Sequence, residues 1–188
     1  MTPRPFPFPL RVGTDLCQVK RIAQIIKTKE NGNPGRPLEQ FLYKILTYPE
    51  RAYFRQRFGS NEAVFGNLQN VSQFLAGRFA AKEACRKACD HLENNTRGFK
   101  HIIIFPVVGA EGKQHQSQRP EGLILHDALR EAEKTDAAEE APFDVTTLDG
   151  QICEISISHD GDYANAVALV PSMKHADSLS PNARKEGH

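Results

Sequence analysis

Asp15 and Glu83 are the two acids whose settings could do chemistry. Asp15 lies near the end of an alternating run in which Leu10, Val12, Thr14 and Leu16 interleave with Arg11 and Gly13. Glu83 is the only acid between Glu62 and Asp90, in an alanine-rich stretch, with Lys87 one helical turn beyond it. Mg²⁺ wants near-octahedral oxygen ligation and keeps several waters, so one or two carboxylates plus substrate phosphates commonly hold it. An acid from a strand end and another from a small-residue helix packed closely on that strand would suit such a cation. Plainer readings exist for both. A carboxylate where a strand turns into a helix is often an N-cap, and Glu83 with Lys87 is an i,i+4 pair worth roughly 0.3–0.5 kcal/mol. Spacing alone leaves these alternatives open.

Arg78, Lys82 and Arg86 form an i, i+4, i+8 stripe on the same stretch. Beside a bound polyphosphate such a stripe supplies charge-assisted hydrogen bonds, Arg as a planar fork and Lys as a point charge. On a free helix face it is merely solvated. Ser158-His159-Asp160 is not a hydrolase triad, because adjacent strand residues point to opposite faces and triads assemble from separated elements. No Gly-x-Ser-x-Gly elbow occurs. His159, closing a strand before a tight turn, could touch a phosphate, position a proton, or satisfy the turn.

The elements that must position these groups follow from periodicity. The alternation at 10–16 predicts a strand with Asp15 on the face opposite Leu10 and Val12. Val19, Ile22, Ala23 and Ile26 recur at helical spacing, so a helix follows at once. Two short helices are expected over 41–58, broken near Tyr48-Pro49, because proline disfavours helix in the residue before it. The strongest helix spans 71–90, free of proline, with Asn70 or Ser72 as its cap. Lys100 to Val108 should be a buried strand, and Leu123 to Leu125 a short strand leading into a helix at about 127–138. Cys153 to Val170 reads as a hairpin turning at His159–Asp162. Glu30–Pro37, Gly109–Gly122 and Lys134–Gly150 are polar loops, and from Pro171 onward the composition is that of a disordered tail.

At 188 residues and 39% apolar content the chain suits one domain with a decorated surface. We assign it residues 10–170, with flexible tails at 1–9 and 171–188. A formal net charge of +1 excludes a global attraction to nucleic acid. No run of eighteen apolar residues exists to span a membrane. The four cysteines show no Cys-x-x-Cys spacing, so reduced, mostly buried thiols are expected. Prolines in the first nine residues oppose the amphipathic helix of a mitochondrial presequence.

Three segments together resemble the holo-acyl-carrier-protein synthase family of 4′-phosphopantetheinyl transferases. Val12-Gly13-Thr14-Asp15 with Arg21-Ile22 looks like the family's Gly-x-Asp opening and the Arg-Ile six residues after the acid. Phe74-Leu75-Ala76-Gly77-Arg78-Phe79-Ala80-Ala81-Lys82-Glu83-Ala84 resembles its most diagnostic run almost residue for residue. Ile155-Ser156-Ile157-Ser158-His159-Asp160 with Tyr163-Ala164 is similar to its closing hairpin. A weaker fourth is Lys44-Ile45-Leu46-Thr47 with Glu50 and Phe54. They occur in the family's order between Gly13 and Val170.

The resemblance implies a compact α+β fold, an antiparallel sheet packed against the long alanine-rich helix. It implies transfer of 4′-phosphopantetheine from coenzyme A to a serine of an apo acyl carrier protein. It makes Asp15 and Glu83 the Mg²⁺ ligands and places Arg78, Lys82, Lys87 and His159 near coenzyme A. Glu83, Lys87 and His159 become the catalytic candidates, and Arg21 the contact to the acidic carrier. The group that takes the serine proton stays open between Glu83, Asp160 and a metal-bound water. Homotrimers with sites between subunits, in the cytoplasm or the mitochondrial matrix, are expected. The rival is a non-enzymatic module that binds coenzyme A or a carrier protein. The sequence departs from the family in three ways. Asp90 to Gly98 is longer than the usual Gly-Thr-Gly turn, Leu68-Gln69 stand near where a basic pair is common, and Lys44 replaces the usual arginine.

Overall fold

In the computed structural model, residues 6–28, 35–89, 92, 98–107, 120–130 and 144–172 are described. The first strand, β1 (Leu10–Gln18), alternates as the sequence requires, but its apolar side is the outer one. Leu10, Val12 and Leu16 are 37%, 66% and 58% exposed, whereas Gly13 and Cys17 are buried and Asp15 half-buried. What covers the inner side is α5 (Leu68–Ala88), and small residues on both partners allow it. Ala76, Ala80, Ala81 and Ala84 of the helix are fully buried, as are Ala164, Ala166 and Ala168 of the last strand. Gly13 marks the closest approach. A Cβ built there would stand 1.9 Å from the Ala84 carbonyl oxygen, so only a residue without a side chain fits.

Five strands form one antiparallel sheet in the order β1-β5-β4-β3-β2. The others are β2 (Ile102–Ile104), β3 (Glu121–Leu125), β4 (Gly150–Asp160) and β5 (Tyr163–Pro171). β4 and β5 make the expected hairpin, with Asp160 opposite Tyr163 and Gly161 at φ +52° in the two-residue turn. That turn also receives α1 (Val19–Lys27). The Asp162 carbonyl accepts from the Val19 N–H at 2.8 Å, satisfying one of the helix's orphan donors. Gln18, not Asp15, is the residue that caps α1, and its side chain makes no capping bond. The N-cap reading of Asp15 is therefore excluded.

Around α5 the remaining helices close the core. α2 (Arg36–Ile45) buries Leu38, Phe41, Leu42 and Ile45, and α3 (Tyr48–Phe58) buries Phe54. The break between them falls at Leu46-Thr47, two residues before the expected point. Pro49 sits in the first turn of α3, where its missing N–H costs nothing. Thr47 and Glu50 complete a capping box. A short helix, α4 (Asn61–Gly66), was not expected; Ser60 caps it. α5 itself begins at Leu68, three residues earlier than expected, with Asn67 at its cap position.

The strand expected over 100–108 is shorter, because Gly98–His101 forms a 3₁₀ turn first. Residues 127–130 are not helical, and the rest of the helix expected to 138 lies outside the described residues. The same holds for most of the polar stretches at 109–122 and 134–150 and, of the tails expected at 1–9 and 171–188, for residues 1–5 and 173–188; Pro171 instead ends β5 opposite Leu10, and the Ser172 N–H donates to the Pro9 carbonyl at 2.8 Å. The outer sheet face is not uniform. At its β2–β3 end Ile103, Leu123 and Leu125 pack with Val107, Phe105, Leu129, Val145 and Leu148. At its β1–β5 end it is bare and apolar, with Val12, Leu16, Val167 and Leu169 at 38–66% exposure.

Candidate functional site

The strand register decides which functional side chains share a face. On the helix side, Asp15 stands in one row with Ala166 and Ile157, and Cys17 in the next with Ala164 and His159. Asp15 and His159 thus occupy the same face, two strands apart, about 10 Å laterally at the usual strand spacing. α5 runs across that face. Its later half lies on β1, where Ala84 and Ala88 meet Gly13. Its middle lies on β4, where Gly77 meets Ile157 and His159.

At the β1 end, the Lys87 ammonium donates to Asp15 Oδ1 at 2.8 Å and to the Thr14 carbonyl at 3.0 Å. Asp15 is 15% exposed and Lys87 54%. Glu83, one turn earlier on the face that carries Lys87, accepts from Arg86 Nη1 at 3.1 Å. The expected Glu83–Lys87 pair therefore gives way to a different arrangement. Lys87 crosses to the strand, and Arg86 holds Glu83 from the same helix. The result is two partly exposed carboxylates, Asp15 held by Lys87 and Glu83 by Arg86, each balanced by a cation that a stronger divalent charge could displace. Both are hard oxygen donors, the kind Mg²⁺ takes when phosphates complete its sphere. No cluster of three or more His, Cys, Asp or Glu side chains forms among the described residues. A self-sufficient protein cage is thus absent among them, and any cation held here would need ligand oxygens as well.

The basic stripe does not behave as either sequence reading supposed. Lys82 is fully buried. Its ammonium donates to Glu50 Oε2 at 2.5 Å, to the Phe99 carbonyl at 3.1 Å and to the Ile102 carbonyl at 2.7 Å. Glu50 Oε1 accepts in turn from the Ile104 N–H at 3.1 Å. All three ammonium protons are spent, so Lys82 has none to offer a ligand. The expectation that it contacts coenzyme A is corrected: it ties α5 to α3 and to the lead-in of β2. Burial pushes its pKa down to about 8, with Glu50 pulling the other way. Arg78, 5% exposed, donates to the Ile104 and Pro106 carbonyls. It also lies 5.0 Å from the centre of the Phe74 ring. Desolvation lowers its pKa, opposed by the charge of Glu50.

Arg78 nevertheless borders a cleft of about 640 Å³ at the other end of the site, together with Gly77 and His159. His159 Nε2 sits 3.1 Å from the Gln73 carbonyl. Arg57, Asn70 and Phe74 also line this cleft; sequence reasoning missed all three, and only the position of Phe74 in the diagnostic run hinted at it. Glu50 was noted only as part of a weak motif, although its Thr-x-x-Glu spacing signals a capping box. Arg21 comes from α1. Its guanidinium lies 5.3 Å from the centre of the Phe79 ring and 3.7 Å from Cys17 Sγ. Burial raises the Cys17 pKa, and Arg21 opposes that shift. Asp15, Glu83, Lys87, Arg78 and His159 are thus brought along one helix, Lys82 is withdrawn into the core, and Arg21 reaches from α1 to Phe79 of the same helix.

Comparison with known proteins gives these features a context. Residues 11–145 match the family model described as the 4′-phosphopantetheinyl transferase superfamily. A curated relative from Aspergillus fumigatus, "4′-phosphopantetheinyl transferase B, mitochondrial", is 32% identical over 88% of this chain and 95% of its own length. A holo-[acyl-carrier-protein] synthase from Caldanaerobacter subterraneus subsp. tengcongensis is 30% identical over 84% of this chain and 91% of its own. In fold, the chain resembles the apo-ACPS structure from Chronobacterium ammoiniagenes, with a TM-score of 0.50 and 22% identity. That match covers 86% of this chain and 95% of the other.

Proposed function

The chain belongs to the 4′-phosphopantetheinyl transferase superfamily, and from that premise we propose that it is a holo-[acyl-carrier-protein] synthase. It transfers 4′-phosphopantetheine from coenzyme A to a serine of an apo acyl carrier protein, and adenosine 3′,5′-bisphosphate leaves. The observation that carries this reading is the Asp15–Lys87 contact at 2.8 Å between β1 and α5, with Glu83 one turn away. The cleft that carries Arg78 and His159 lies towards the other end of the same helix.

The serine oxygen attacks the β-phosphorus of coenzyme A. A phosphorus–oxygen bond forms to the serine as the bond to the bridging oxygen breaks, and the hydroxyl proton passes to a carboxylate of the site. Lys87 opposes negative charge gathering on the departing bisphosphate. Asp15 and Glu83 are the residues that would hold a Mg²⁺ ion. When bound, that ion neutralises charge along the pyrophosphate. His159 and Arg78 border the nucleotide side of the cleft. Arg78 keeps its floor in shape through the two carbonyls it grips.

The carrier docks on α1. This helix has cations at Lys20, Arg21 and Lys27 and Ile25 at 40% exposure beside them; Lys20 is paired with Asp162 of the β4–β5 turn at 2.6 Å, which leaves Arg21 and Lys27 as the basic groups suited to an acidic partner. The bare outer face of β1 and β5 is the surface through which copies of the chain assemble as a homotrimer. Apolar area of this kind is rare on surfaces that stay in water. The mitochondrial designation of the Aspergillus relative favours the mitochondrion over the cytoplasm as the compartment.

Mass spectrometry of an apo carrier protein incubated with coenzyme A, Mg²⁺ and the enzyme should show a gain of one phosphopantetheine. Asp15→Ala and Glu83→Ala should each slow that gain by about 100-fold or more, since even outer-sphere changes at metal sites cost 10–100-fold. Their melting temperatures should stay near that of the wild type. Near wild-type turnover in either variant would refute its role.

A further inference from the structure

Arg86, the last cation of the stripe along α5, is bound to one of the two proposed cation ligands. Its Nη1 donates to Glu83 Oε1 at 3.1 Å, and the two side chains are 22% and 21% exposed. An i,i+3 ion pair on a helix is by itself an ordinary feature. What sets this one apart is how firmly the arginine is seated. Its guanidinium carbon lies 5.3 Å from the centre of the Phe99 ring. A Cβ built on Gly98 would stand 2.8 Å from Arg86 Nε and 3.2 Å from its Cδ, so the stem lies directly on the 3₁₀ turn at Gly98–His101. Phe99 is anchored in its turn. Its ring lies 5.8 Å from that of Phe79, and its carbonyl accepts from the Lys82 ammonium at 3.1 Å.

The counter-ion of Asp15 is held differently. Lys87 is 54% exposed, and its flexible stem can carry the ammonium into water at little cost. Arg86 cannot leave Glu83 without also leaving the Phe99 ring and the surface of Gly98. A divalent cation approaching Glu83 therefore meets a carboxylate whose charge is already opposed by a guanidinium that does not readily move. We infer that Arg86 is a resident counter-ion of Glu83 that keeps the affinity of the free chain for divalent cations low. The inference rests on the reading of Asp15 and Glu83 as cation ligands and deepens it by naming the residue that regulates them. The opposite role is chemically distinct. An arginine that merely oriented Glu83 would strengthen cation binding, because losing a hydrogen bond to a metal ligand weakens the site. The sign of the effect thus separates the two.

The probe is Mn²⁺, which takes the same hard oxygen ligands as Mg²⁺. Its binding to the full chain is followed by electron paramagnetic resonance, with no nucleotide and no carrier protein present. Arg86→Met removes the charge and keeps an unbranched stem against Phe99 and Gly98; Arg86→Lys keeps the charge. Arg86→Met should bind Mn²⁺ about tenfold more tightly than the wild type, the effect of removing one unit charge a few ångströms away. Arg86→Lys should fall between them. A loosened fold would weaken binding, so a gain cannot come from structural damage. Adding Glu83→Gln to Arg86→Met should erase the gain. Equal, weaker or absent binding by Arg86→Met, or a gain that survives Glu83→Gln, would overturn the counter-ion role. If Glu83→Gln alone leaves Mn²⁺ affinity unchanged, Glu83 is no ligand and the inference falls with that reading. A wild-type protein that modifies no carrier refutes the transferase reading alone, because ion binding without donor or carrier still judges Arg86.

Discussion

Gly13→Ala is the smallest change that should separate packing from chemistry in this molecule. The added Cβ would stand 1.9 Å from the Ala84 carbonyl oxygen, 2.9 Å from the Ala84 carbonyl carbon and 3.0 Å from the Ala88 nitrogen. All three are helix backbone, so no rotamer change can relieve the overlap. A C···O contact relaxes near about 3.3 Å, so β1 and α5 must part by roughly 1.4 Å, the gap between 3.3 Å and the 1.9 Å found. Forcing a tight interior apart in this way costs about 1–3 kcal/mol. For a domain of this size that lowers the melting temperature by about 2–12 °C.

The larger effect should be on activity. Asp15 is two residues from Gly13 on the same face, and its partner Lys87 sits on the helix being displaced. A 1 Å misplacement in a catalytic constellation can cost about 100-fold. We therefore expect kcat/KM for carrier modification to fall about 100-fold at a temperature where the variant is still folded by circular dichroism. Gly77→Ala is the control. There the new Cβ meets side chains, His159 Nε2 at 3.1 Å and Ile157 at 3.2 Å, which can move, so stability should fall less. Wild-type stability and turnover in Gly13→Ala would refute the claim that this glycine sets the spacing of the site.

Two further outcomes follow from the packing. Lys82→Met strips the partner from a buried carboxylate and should cost about 3–5 kcal/mol at pH 7; adding Glu50→Gln should recover part of it, measured by denaturant unfolding. The Lys82 pKa of about 8 in the folded chain lies below its ordinary 10.5, so between those values the unfolded chain binds the proton that the native chain lacks. Stability contributed by this residue thus grows as pH rises from 8 to 10.5. The gap between wild type and Lys82→Met should widen over that window, and a gap that narrows would contradict the burial argument. On the outer face, Val12→Asp and Leu169→Glu place charges on apolar strand surface. Sedimentation should show the wild type as a trimer and these variants as monomers; a monomeric wild type would remove that role from the face.

Much of this was legible in sequence because the signals were local. β1 and the β4–β5 hairpin announce themselves by alternation, and α5 by its alanines. The two acids stood out by their isolation and by the motifs around them. What was not legible depended on pairing across the chain. The Arg78–Lys82–Arg86 spacing gives one helix face but cannot say whether that face meets water or protein. It meets protein, because Glu50, 32 residues earlier, supplies the counter-charge for Lys82. Likewise nothing local says that Arg57 crosses Phe58 and Phe74 to reach the cleft. Proline 49 misled by its general rule. It disfavours helix in the residue before it, yet the first turn of a helix accepts it, and Thr47 with Glu50 fixed the start of α3.

The two faces of β1 carry the deeper logic of the fold. A strand usually buries its apolar side against its own helices, but here the inner side is Gly13, Asp15 and Cys17 and the outer side Val12 and Leu16. Turning the glycine inward lets α5 approach closely enough for Lys87 to reach Asp15. It also leaves Val12 and Leu16 facing out, 66% and 58% exposed. The period of a strand being two, these choices are inseparable: a one-residue slip would exchange the faces and lose the site and the outer surface together. The proposed assembly surface and the proposed site thus share one strand. A charge on its outer face should therefore lower activity even though Val12 points away from Asp15, and restoring assembly should restore it.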